Sequence, residues 1–410
     1  MTESVLAALA RRGVVFPAPE LVFAAPDVDP SRFEAGAVVH PGARLYGPRT
    51  AVGRGAQIGS AGPISVRNCA IGRDVDLASG TFEDAVFLDG AAFGPSGHAR
   101  AGTLFEECAR AAHSVGVKQT VLLPFAVLGS LINFCDCLLA GGTGADDHSE
   151  VGSGFIHFNF SPSGERGDKA TPSLFGDATR GVFLRSRRIF LGGGAGVVGP
   201  LKVGYGAVLA AGSVYRKDRG EGVLAYAERL PDRERPFDAV VFRNAREKVR
   251  KNLEYLAQLA ALRAFYVEAR RPLAAGDAFA EDLVRAAVRL LDGAAEERVR
   301  HLERLASDLR RSAARLSADG GDPGAAEIAF QARFAESFAA AKPALMRIDL
   351  AAERALGARD ALTRRVGDAR CGCTAWVRGL SNSDVAEGIA RLEAVAAAYL
   401  GDPAGARRLL

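Results

Sequence analysis

The fold is decided by the stretch LGGGAG-VVGPLK-VGYGAV-LAAGSV, residues 191–214. Leu191, Val197, Val203 and Leu209 recur every six residues, mostly beside glycine, valine or alanine. A six-residue period with an aliphatic residue at each first position is typical of a hexapeptide β-helix. Each hexad there forms a short strand and a turn, three hexads close a triangular coil, and the aliphatic side chains stack inside it. Small neighbours permit the tight corners. These residues therefore predict a parallel β-helix.

Less regular hexads extend the pattern upstream. Their aliphatic first positions are Val52, Ile58, Ile64, Ile71 and Leu77, followed later by Val115, Val121 and Val127. Two segments interrupt the period, and we expect both to leave the coil. Thr103–His113 has the character of a helical excursion, and Phe160–Arg188 is a loop rich in Ser, Pro, Gly and Arg. We therefore predict a β-helix over residues 38–218 with two loop excursions.

The two ends of the chain follow other patterns. Residues 1–37 predict a short helix, Ser4–Arg12, and a proline-rich lead-in. Beyond Pro236 the apolar residues take steps of three and four, which indicate helices. Ser317–Gly324 is a breaker between two of them. Residues 219–410 are therefore predicted to form an α-helical bundle or hairpin region. One buried helical face is expected from Phe330, Phe334 and Phe338.

Composition excludes several functions. The net charge is +4 over 410 residues, with no basic run, so neither nucleic acid nor a membrane is an expected partner. No apolar run approaches the roughly 20 residues that span a bilayer, and the N-terminus lacks the pattern of a signal peptide. The six cysteines are too scattered for a disulfide framework. These observations predict a cytoplasmic protein.

An ordered series of motifs goes beyond generic hexads. Asn133-Phe134 is followed fifteen residues later by His148, then by Asn159-Phe160 and by the closing coils Ile189–Asp218. This series resembles the C-terminal left-handed β-helix acetyltransferase domain of the bifunctional N-acetylglucosamine-1-phosphate uridyltransferase family. The match covers roughly residues 120–218. The segment DDHSEVGSGFIHFNF also resembles proteins described as UDP-N-acetylglucosamine pyrophosphorylase-related.

The resemblance implies an acetyl-CoA-dependent N-acetyltransferase that acts on an amino sugar or sugar phosphate as a homotrimer. His148 takes the position of the catalytic base. The positions implied on the acceptor side are Asn133, Asn159, Phe160 in place of the family's Tyr, and, in a loose alignment, Lys169. Gly193 and Ala211 fall where the main chain approaches acetyl-CoA, the co-substrate. Lys202 and Arg216, near the last coils, are candidates for its phosphates, although ordinary surface charge is the simpler interpretation.

Three positions depart from the family pattern. Leu123 replaces an Arg, Leu138 replaces a Lys, and Val151 replaces a Tyr. Because a phosphate without cationic partners binds poorly, either the acceptor is not glucosamine 1-phosphate or other cations replace these ligands. The arginine-rich loop could supply them, or it could be merely solvated; its members are Arg180, Arg185, Arg187 and Arg188.

Other functions remain open on the sequence. The chain could be a non-catalytic β-helix scaffold or binding protein. A sugar nucleotidyltransferase is suggested by the family label alone, because Leu139–Gly144 is better interpreted as a coil corner than as a nucleotide-binding turn. A zinc carbonic anhydrase would need three histidines, and the spacing of His113, His148 and His157 does not support one. Cys135 and Cys137 are expected to be inward-packed thiols, so no metal is predicted.

Overall fold

In a computed structural model, the first half of the chain is a parallel β-solenoid and the second half is helical. The structure describes residues 4–228, 230–234, 236–318, 324–355, 361–367, 369 and 371–410. Each strand pairs in parallel with the equivalent strand of the next coil, so the coils stack in sequence order. This architecture matches the predicted left-handed β-helix followed by an α-helical region.

The solenoid is a three-sided prism, and successive short strands of each coil contribute to successive faces. Face A contains ten strands: Val38–Val39, Gln57–Ile58, Asp76–Leu77, Ala92–Phe93, Arg110–Ala111, Val127–Leu128, Glu150–Val151, Phe190–Leu191, Val208–Leu209 and Leu224–Ala225. Leu191, Val197, Val203 and Leu209 lie on face A, face B, face C and face A again. The six-residue period therefore corresponds to one face of the prism.

Faces B and C are joined through two longer strands. Face B consists of Phe23–Ala24, Ala43–Tyr46, Ile64–Arg67, Gly80–Glu83, Gly97–Ala99, the first halves of Gly116–Leu122 and Asn133–Leu139, then Ile156–Phe158, Gly196–Val198 and Val214–Tyr215. Face C consists of Ala51–Val52, Ala70–Ile71, Ala85–Phe87, Thr103–Phe105, the second halves of those two strands, Ser173–Phe175 and Lys202–Val203. The long strands turn the corner at Gln119 and Asp136, where φ is +52° and +58°.

The interior of the prism is a stack of apolar side chains. Along face A the second residue of each strand points inward; from the first to the ninth these are Val39, Ile58, Leu77, Phe93, Ala111, Leu128, Val151, Leu191 and Leu209, none more than 5% exposed. The N-terminal coils are called the upper coils and the C-terminal coils the lower coils. In the upper coils, four phenylalanines pack with ring centroids 5.2 to 6.4 Å apart: Phe82, Phe87, Phe93 and Phe105. Burial of this stack is the main force that holds the coils together.

The N-terminal segment covers the first coil. Helix α1, Val5–Arg11, is capped at its N-terminus by Ser4, whose side chain accepts a hydrogen bond from the backbone N–H of Ala7 at 3.2 Å. Two short 3₁₀ turns follow, Pro19–Leu21 and Pro30–Arg32. The β-solenoid extends beyond the predicted bounds, residues 38–218, at both ends. Its first strand is Phe23–Ala24 and its last strand is Leu224–Ala225.

The predicted helical excursion at Thr103–His113 is wrong. Thr103–Phe105 is a strand of face C and Arg110–Ala111 is a strand of face A. Leu104 and Phe105 are fully buried, because both sides of face C are covered at this point. A strand buried on both sides lacks the alternation of polar and apolar residues that marks a half-exposed strand, so its sequence resembles a buried helix.

The segment Phe160–Arg188 leaves the regular coil, as expected, but one strand within it pairs with face C. A loop follows the face B strand Ile156–Phe158, the face C strand Ser173–Phe175 rejoins the sheet, and helix α2, Ala178–Gly181, precedes the next face A strand. The excursion is therefore two loops separated by a buried strand.

The helical region contains nine helices within the described residues. They are α3 Ala245–Phe265, α4 Arg271–Leu273, α5 Ala278–Ala318, α6 Gly324–Leu345, α7 Leu350–Arg354, α8 Ala361–Val366, α9 Cys373–Gly379, α10 Asn382–Leu400 and α11 Ala406–Leu409, with a π-helical turn at Tyr266–Arg270. The three phenylalanines Phe330, Phe334 and Phe338 are buried, as expected. Most of the predicted breaker Ser317–Gly324 lies outside the described residues.

The helices pack on one face of the prism. Helix α5 lies against the upper strands of face C and α3 against Ser173–Phe175. Buried polar contacts join the two halves: Tyr266 donates to Glu106 at 2.7 Å, and Arg270 forms an ion pair with the same carboxylate at 3.0 Å. Faces A and B keep many exposed side chains. Among the described helices, none combines the length and apolar character needed to cross a membrane.

Candidate functional site

His148 lies in a turn at the edge between faces C and A, called the C–A edge. The turn connects the strand Asn133–Leu139 to Glu150–Val151. The Nδ1 atom of His148 lies 2.7 Å from the carbonyl oxygen of Ala145. Because a carbonyl can only accept, Nδ1 carries a proton, and in the neutral form of the ring the lone pair is therefore on Nε2. Within the described residues Nε2 has no hydrogen-bond partner, and the side chain is partly exposed. The imidazole is therefore arranged as a proton acceptor.

The backbone of this turn is closely constrained. Gly142 has φ +90°, and a Cβ there would lie 2.4 Å from the carbonyl oxygen of Asp147. Thr143 donates through its hydroxyl to Asp147 Oδ2 at 2.7 Å. Arg188 Nε approaches Asp147 Oδ1 at 3.6 Å, so this arginine lies next to the histidine turn. The turn thus brings one candidate base and one candidate phosphate ligand to the same edge.

Asn159 lies at a different edge, between faces B and C, called the B–C edge. Its Nδ2 donates to Asp136 Oδ2 at 2.5 Å. Arg298 of helix α5 donates to the other oxygen of Asp136, and also to the carbonyl of Lys169 at 2.9 Å. Arg298 is only 2% exposed. Because a carboxylate only accepts, the Asn159 amide is held with its oxygen directed away from Asp136.

A second histidine belongs to this covered edge. His157 Nδ1 lies 2.6 Å from the carbonyl oxygen of Cys135, and Nε2 lies 2.7 Å from Ser173 Oγ. Burial lowers the pKa of His157 to about 4, and the charge of Arg298 acts in the same direction, against the opposing influence of Asp136. Both ring nitrogens are thus engaged and the ring is neutral, so His157 is a structural residue.

The other acceptor-side candidates are spread over the surface. Asn133 lies on face B, where its Oδ1 accepts a hydrogen bond from the Cys135 thiol at 3.1 Å. Phe160 is 52% exposed, and its ring covers Gly167. Lys169 is exposed and contributes its carbonyl to Arg298. Arg185 donates to backbone carbonyls at the end of α9, among them that of Arg378 at 3.2 Å.

The donor-side candidates Gly193 and Ala211 occupy the third edge, between faces A and B, called the A–B edge. They stand in consecutive coils, and a Cβ on the neighbouring Gly192 would lie 2.4 Å from the nitrogen of Ala211. Their backbone N–H groups donate to no acceptor within the described residues. Two adjacent free N–H groups of this kind can bind a developing negative charge.

The two basic donor-side candidates are placed differently. Lys202 lies on face C, under the helices, where its Nζ forms an ion pair with Glu254 of α3 at 2.9 Å. Arg216 follows the face B strand Val214–Tyr215, is exposed, and donates to the carbonyl of Val214 at 3.2 Å. Arg216 is therefore accessible to a ligand, whereas Lys202 already has an anionic partner.

Within one chain the candidate residues therefore occupy all three edges. The structure brings Arg188 to His148, and Gly193 to Ala211, but it does not bring these groups to Asn159. Sequence reasoning missed Asp136 and Arg298, since their contact joins residues 162 positions apart. The signal present in the sequence was one acidic residue in the otherwise apolar run Phe134–Leu139.

Of the two cysteines on the same strand, Cys137 is packed inward, as expected, but the expectation is wrong for Cys135. Phe134 points inward, so the next side chain, Cys135, lies on the outer side of face B, where Arg100 Nη2 is 3.6 Å from its sulfur. Cys135 and Cys137 are 3% and 0% exposed, and burial raises the pKa of both thiols. Over the described ranges, no three His, Cys, Asp or Glu side chains come together as a potential metal site.

Exposed apolar side chains concentrate in the lower coils. Face A changes from Gln57, Asp76 and Arg110 above to Phe190, Val208 and Leu224 below. Together with face B and the A–B edge, this forms the lower apolar belt, defined as Leu131, Ile156, Phe158, Phe190, Val208 and Leu224, each at least 37% exposed. Its face A members, Phe190, Val208 and Leu224, are in register in adjacent coils, and exposed apolar surface of this kind marks an interaction site.

The fold and its edge residues define a left-handed β-helix protein with a fused helical region. No family model matches the chain. Bifunctional protein GlmU from Pelobacter propionicus is 29% identical over 189 residues, 46% of this chain and 36% of the relative. The homologue from Nitratidesulfovibrio vulgaris is 28% identical over 221 residues, 52% of this chain and 42% of its own. That from Synechococcus elongatus is 26% identical over 190 residues, 46% of this chain and 37% of its own.

The matches relate the chain to the GlmU family over about half of its length. In turn, the chain spans only 36% to 42% of these three relatives.

Proposed function

We propose that the protein is a cytoplasmic acyltransferase that transfers an acetyl group from acetyl-CoA to the amine of an amino sugar or sugar phosphate. The relation to GlmU supports the reaction class. The observation that carries the proposal is the hydrogen bond from His148 Nδ1 to the Ala145 carbonyl, because it leaves Nε2 free to accept a proton.

The proposed reaction begins with attack of the acceptor amine on the thioester carbonyl carbon. His148 Nε2 takes the amine proton, and the Ala145 carbonyl stabilises the resulting imidazolium through Nδ1–H. The C–N bond forms and the carbonyl oxygen becomes an oxyanion, for which the free N–H groups of Gly193 and Ala211 are donors. The C–S bond then breaks, and the imidazolium returns the proton to the leaving CoA sulfur.

Arg188 is the preferred phosphate ligand for the acceptor. It lies beside the histidine turn, and its side chain is 62% exposed. Arg185, in contrast, is already hydrogen-bonded to carbonyls at the end of α9. Lys169, Phe160 and Asn133 would contribute only where a neighbouring subunit adjoins them.

The proposed active unit is a homotrimer, because His148 and the donor-side N–H groups lie on different edges of one prism. A head-to-tail ring places one edge of a subunit against a different edge of its neighbour. The lower apolar belt offers the surface for such contacts. We expect Phe190→Glu to give monomers in sedimentation velocity experiments. The matched Phe23→Glu variant, which changes an exposed phenylalanine of the first face B strand, should remain trimeric. A parent chain that sediments as a monomer contradicts this assembly.

The decisive experiment follows thiol release from acetyl-CoA with amino sugars, with and without a phosphate. We expect turnover by the parent chain and a loss of about 100-fold or more in His148→Ala, the usual effect of removing a general base. His113→Ala changes another exposed histidine, on the A–B edge, and should retain activity. Absence of both thiol release and calorimetric binding of acetyl-CoA would reject the enzyme.

That last outcome favours the second candidate function, a non-catalytic scaffold. Its supporting observation is that the helices seal face C and leave an apolar belt on the remaining faces.

A further inference from the structure

A groove of about 410 Å³ lies between the B–C edge and helix α5. The groove lies along the N-terminal coils of the prism. Gln119, which lines its C-terminal end, is at the corner one coil before that of Asp136. Six polar side chains that line it carry the argument: Arg49, Asn68, Lys118, Gln119, Arg289 and Arg300. The volume is that of a pocket for a small molecule, and His148 lies on another edge.

The charges that line the groove do not balance. Four cations face two anions, Asp84 and Glu297. Asp84 is paired with Arg49 at 2.6 Å. Glu297 is shared between Lys118 at 3.7 Å and Arg300 at 2.9 Å. The groove thus has an excess of positive charge.

Arg289 is the unpaired cation. Its side chain makes no hydrogen bond or salt bridge within the described part of the chain, and it is exposed. Burial of part of the side chain lowers the pKa of Arg289, Asp282 opposes that effect, and the charges of Arg32, Arg49 and Arg285 lower the pKa further. Like charges are therefore crowded around a guanidinium whose donors remain available.

Two side-chain amides complete the groove. Asn68 and Gln119 both lie at corners with positive φ, +53° and +52°. The Gln119 amide lies over Gly102, where a Cβ would come within 2.4 Å of it, so glycine keeps this position open. The Asn68 Nδ2 and the Gln119 amide have no hydrogen-bond partner within the described residues. Uncharged donors and acceptors of this kind bind hydroxyl groups.

We propose that this groove binds a phosphomonoester carried by a small polyhydroxylated molecule, at a site separate from the histidine edge. The guanidinium of Arg289 would bind two phosphate oxygens, because its planar fork matches their geometry. Arg49 and Lys118 would add positive charge, and Asn68 and Gln119 would bind the hydroxyl groups. A sugar phosphate and the ribose phosphate of CoA share this chemistry.

The test is titration calorimetry on the full chain with four probes: glucosamine, glucosamine 1-phosphate, CoA and dephospho-CoA. We expect at least one phosphomonoester to bind, and its counterpart without that phosphate to bind at least tenfold more weakly. The sugar pair and the CoA pair distinguish the two sources. Because the proposed active site would bind the same probes, the groove is the site whose affinity depends on Arg289 and not on Arg188. Arg289→Gln should weaken binding of the effective phosphomonoester at that site by about tenfold or more, and Arg188→Gln should leave that site unchanged.

The matched control is Arg304→Gln, which removes an exposed arginine from the same helix outside the groove. It should leave binding unchanged, and both variants should unfold at the temperature of the parent chain. The proposal is overturned if neither phosphomonoester binds, or if Arg289→Gln binds the effective one as well as the control does. His148→Ala should bind it normally, so failure of acetyl transfer would not affect the result.

Discussion

The C–A edge at His148 and the B–C edge at Asp136 differ in what covers them. At the C–A edge, the Asp147–Arg188 pair has side chains 49% and 62% exposed. At the B–C edge, the Asp136–Arg298 pair has side chains 8% and 2% exposed, because α5 lies over it. Water screens the first pair and not the second. An open edge can exchange a substrate, whereas a covered edge stabilises the attachment of the helices.

Breaking the covered pair should have the largest effect. Arg298→Met leaves the Asp136 carboxylate buried without its cation, and loss of one partner of a buried pair typically costs about 3–5 kcal/mol. We expect a decrease of that size in the free energy of unfolding, measured by urea denaturation.

The double variant Arg298→Met/Asp136→Asn is the control for this effect. It removes the buried charge as well, and asparagine tolerates the positive φ of position 136. Part of the lost stability should return. If the single variant is as stable as the parent chain, the covered edge does not hold the helices.

The second-largest expected effect is a decrease in the free energy of unfolding at acidic pH, caused by a residue of the covered edge. The pKa of His157 is about 4 in the folded chain, against an ordinary value of 6.5, because of burial. Between these values the unfolded chain binds a proton that the folded chain does not, so stability falls as the pH falls. From pH 7 to pH 5 the loss is about 2 kcal/mol for this residue, because the slope approaches its full value of about 1.4 kcal/mol per pH unit only below pH 6.5. His301 of α5, whose pKa is also lowered to about 4 by burial, contributes in the same direction.

Urea denaturation at pH 7 and pH 5 measures this slope. In His157→Gln the difference between the two pH values should be about 2 kcal/mol smaller than in the parent chain. His113→Gln changes an exposed ring and should leave the slope unaltered. Equal slopes in all three proteins would show that His157 is not the titrating group.

The open edge should show the smallest change. Asp147→Ala removes the carboxylate that Thr143 and Arg188 contact, but both partners remain in water. Exposed pairs contribute less than about 1 kcal/mol, so the unfolding free energy should change by no more than that. A loss comparable to that of Arg298→Met would mean that the two edges do not differ as described.

The interior of the prism was predictable from sequence because each hexad obeys a local rule. Leu191 and Leu209 pair in register on face A, and the residues between them supply one position on each other face. The same rule failed at Leu104 and Phe105, where α5 and the core bury both sides of the strand and remove the alternation. The helical phenylalanines were predictable for the converse reason, since their four-residue spacing survives burial.

The candidate site was predictable only in part. The residues flanking His148 in sequence form its turn, so the position of His148 among the coils follows from local sequence order. Arg298 and the groove at Arg289 depend on how a helix from the second half docks on the first, and no local pattern encodes that distance.

The helices that cover face C limit how copies of the chain can assemble. Because the protein's own helices cover one face of the prism, two faces remain exposed. One of them can contact the next subunit and the other can contact the previous subunit, as a closed head-to-tail ring requires. In such a ring every helical arm would project from the rim, and the three arginine-lined grooves would open outward, well apart from the central axis.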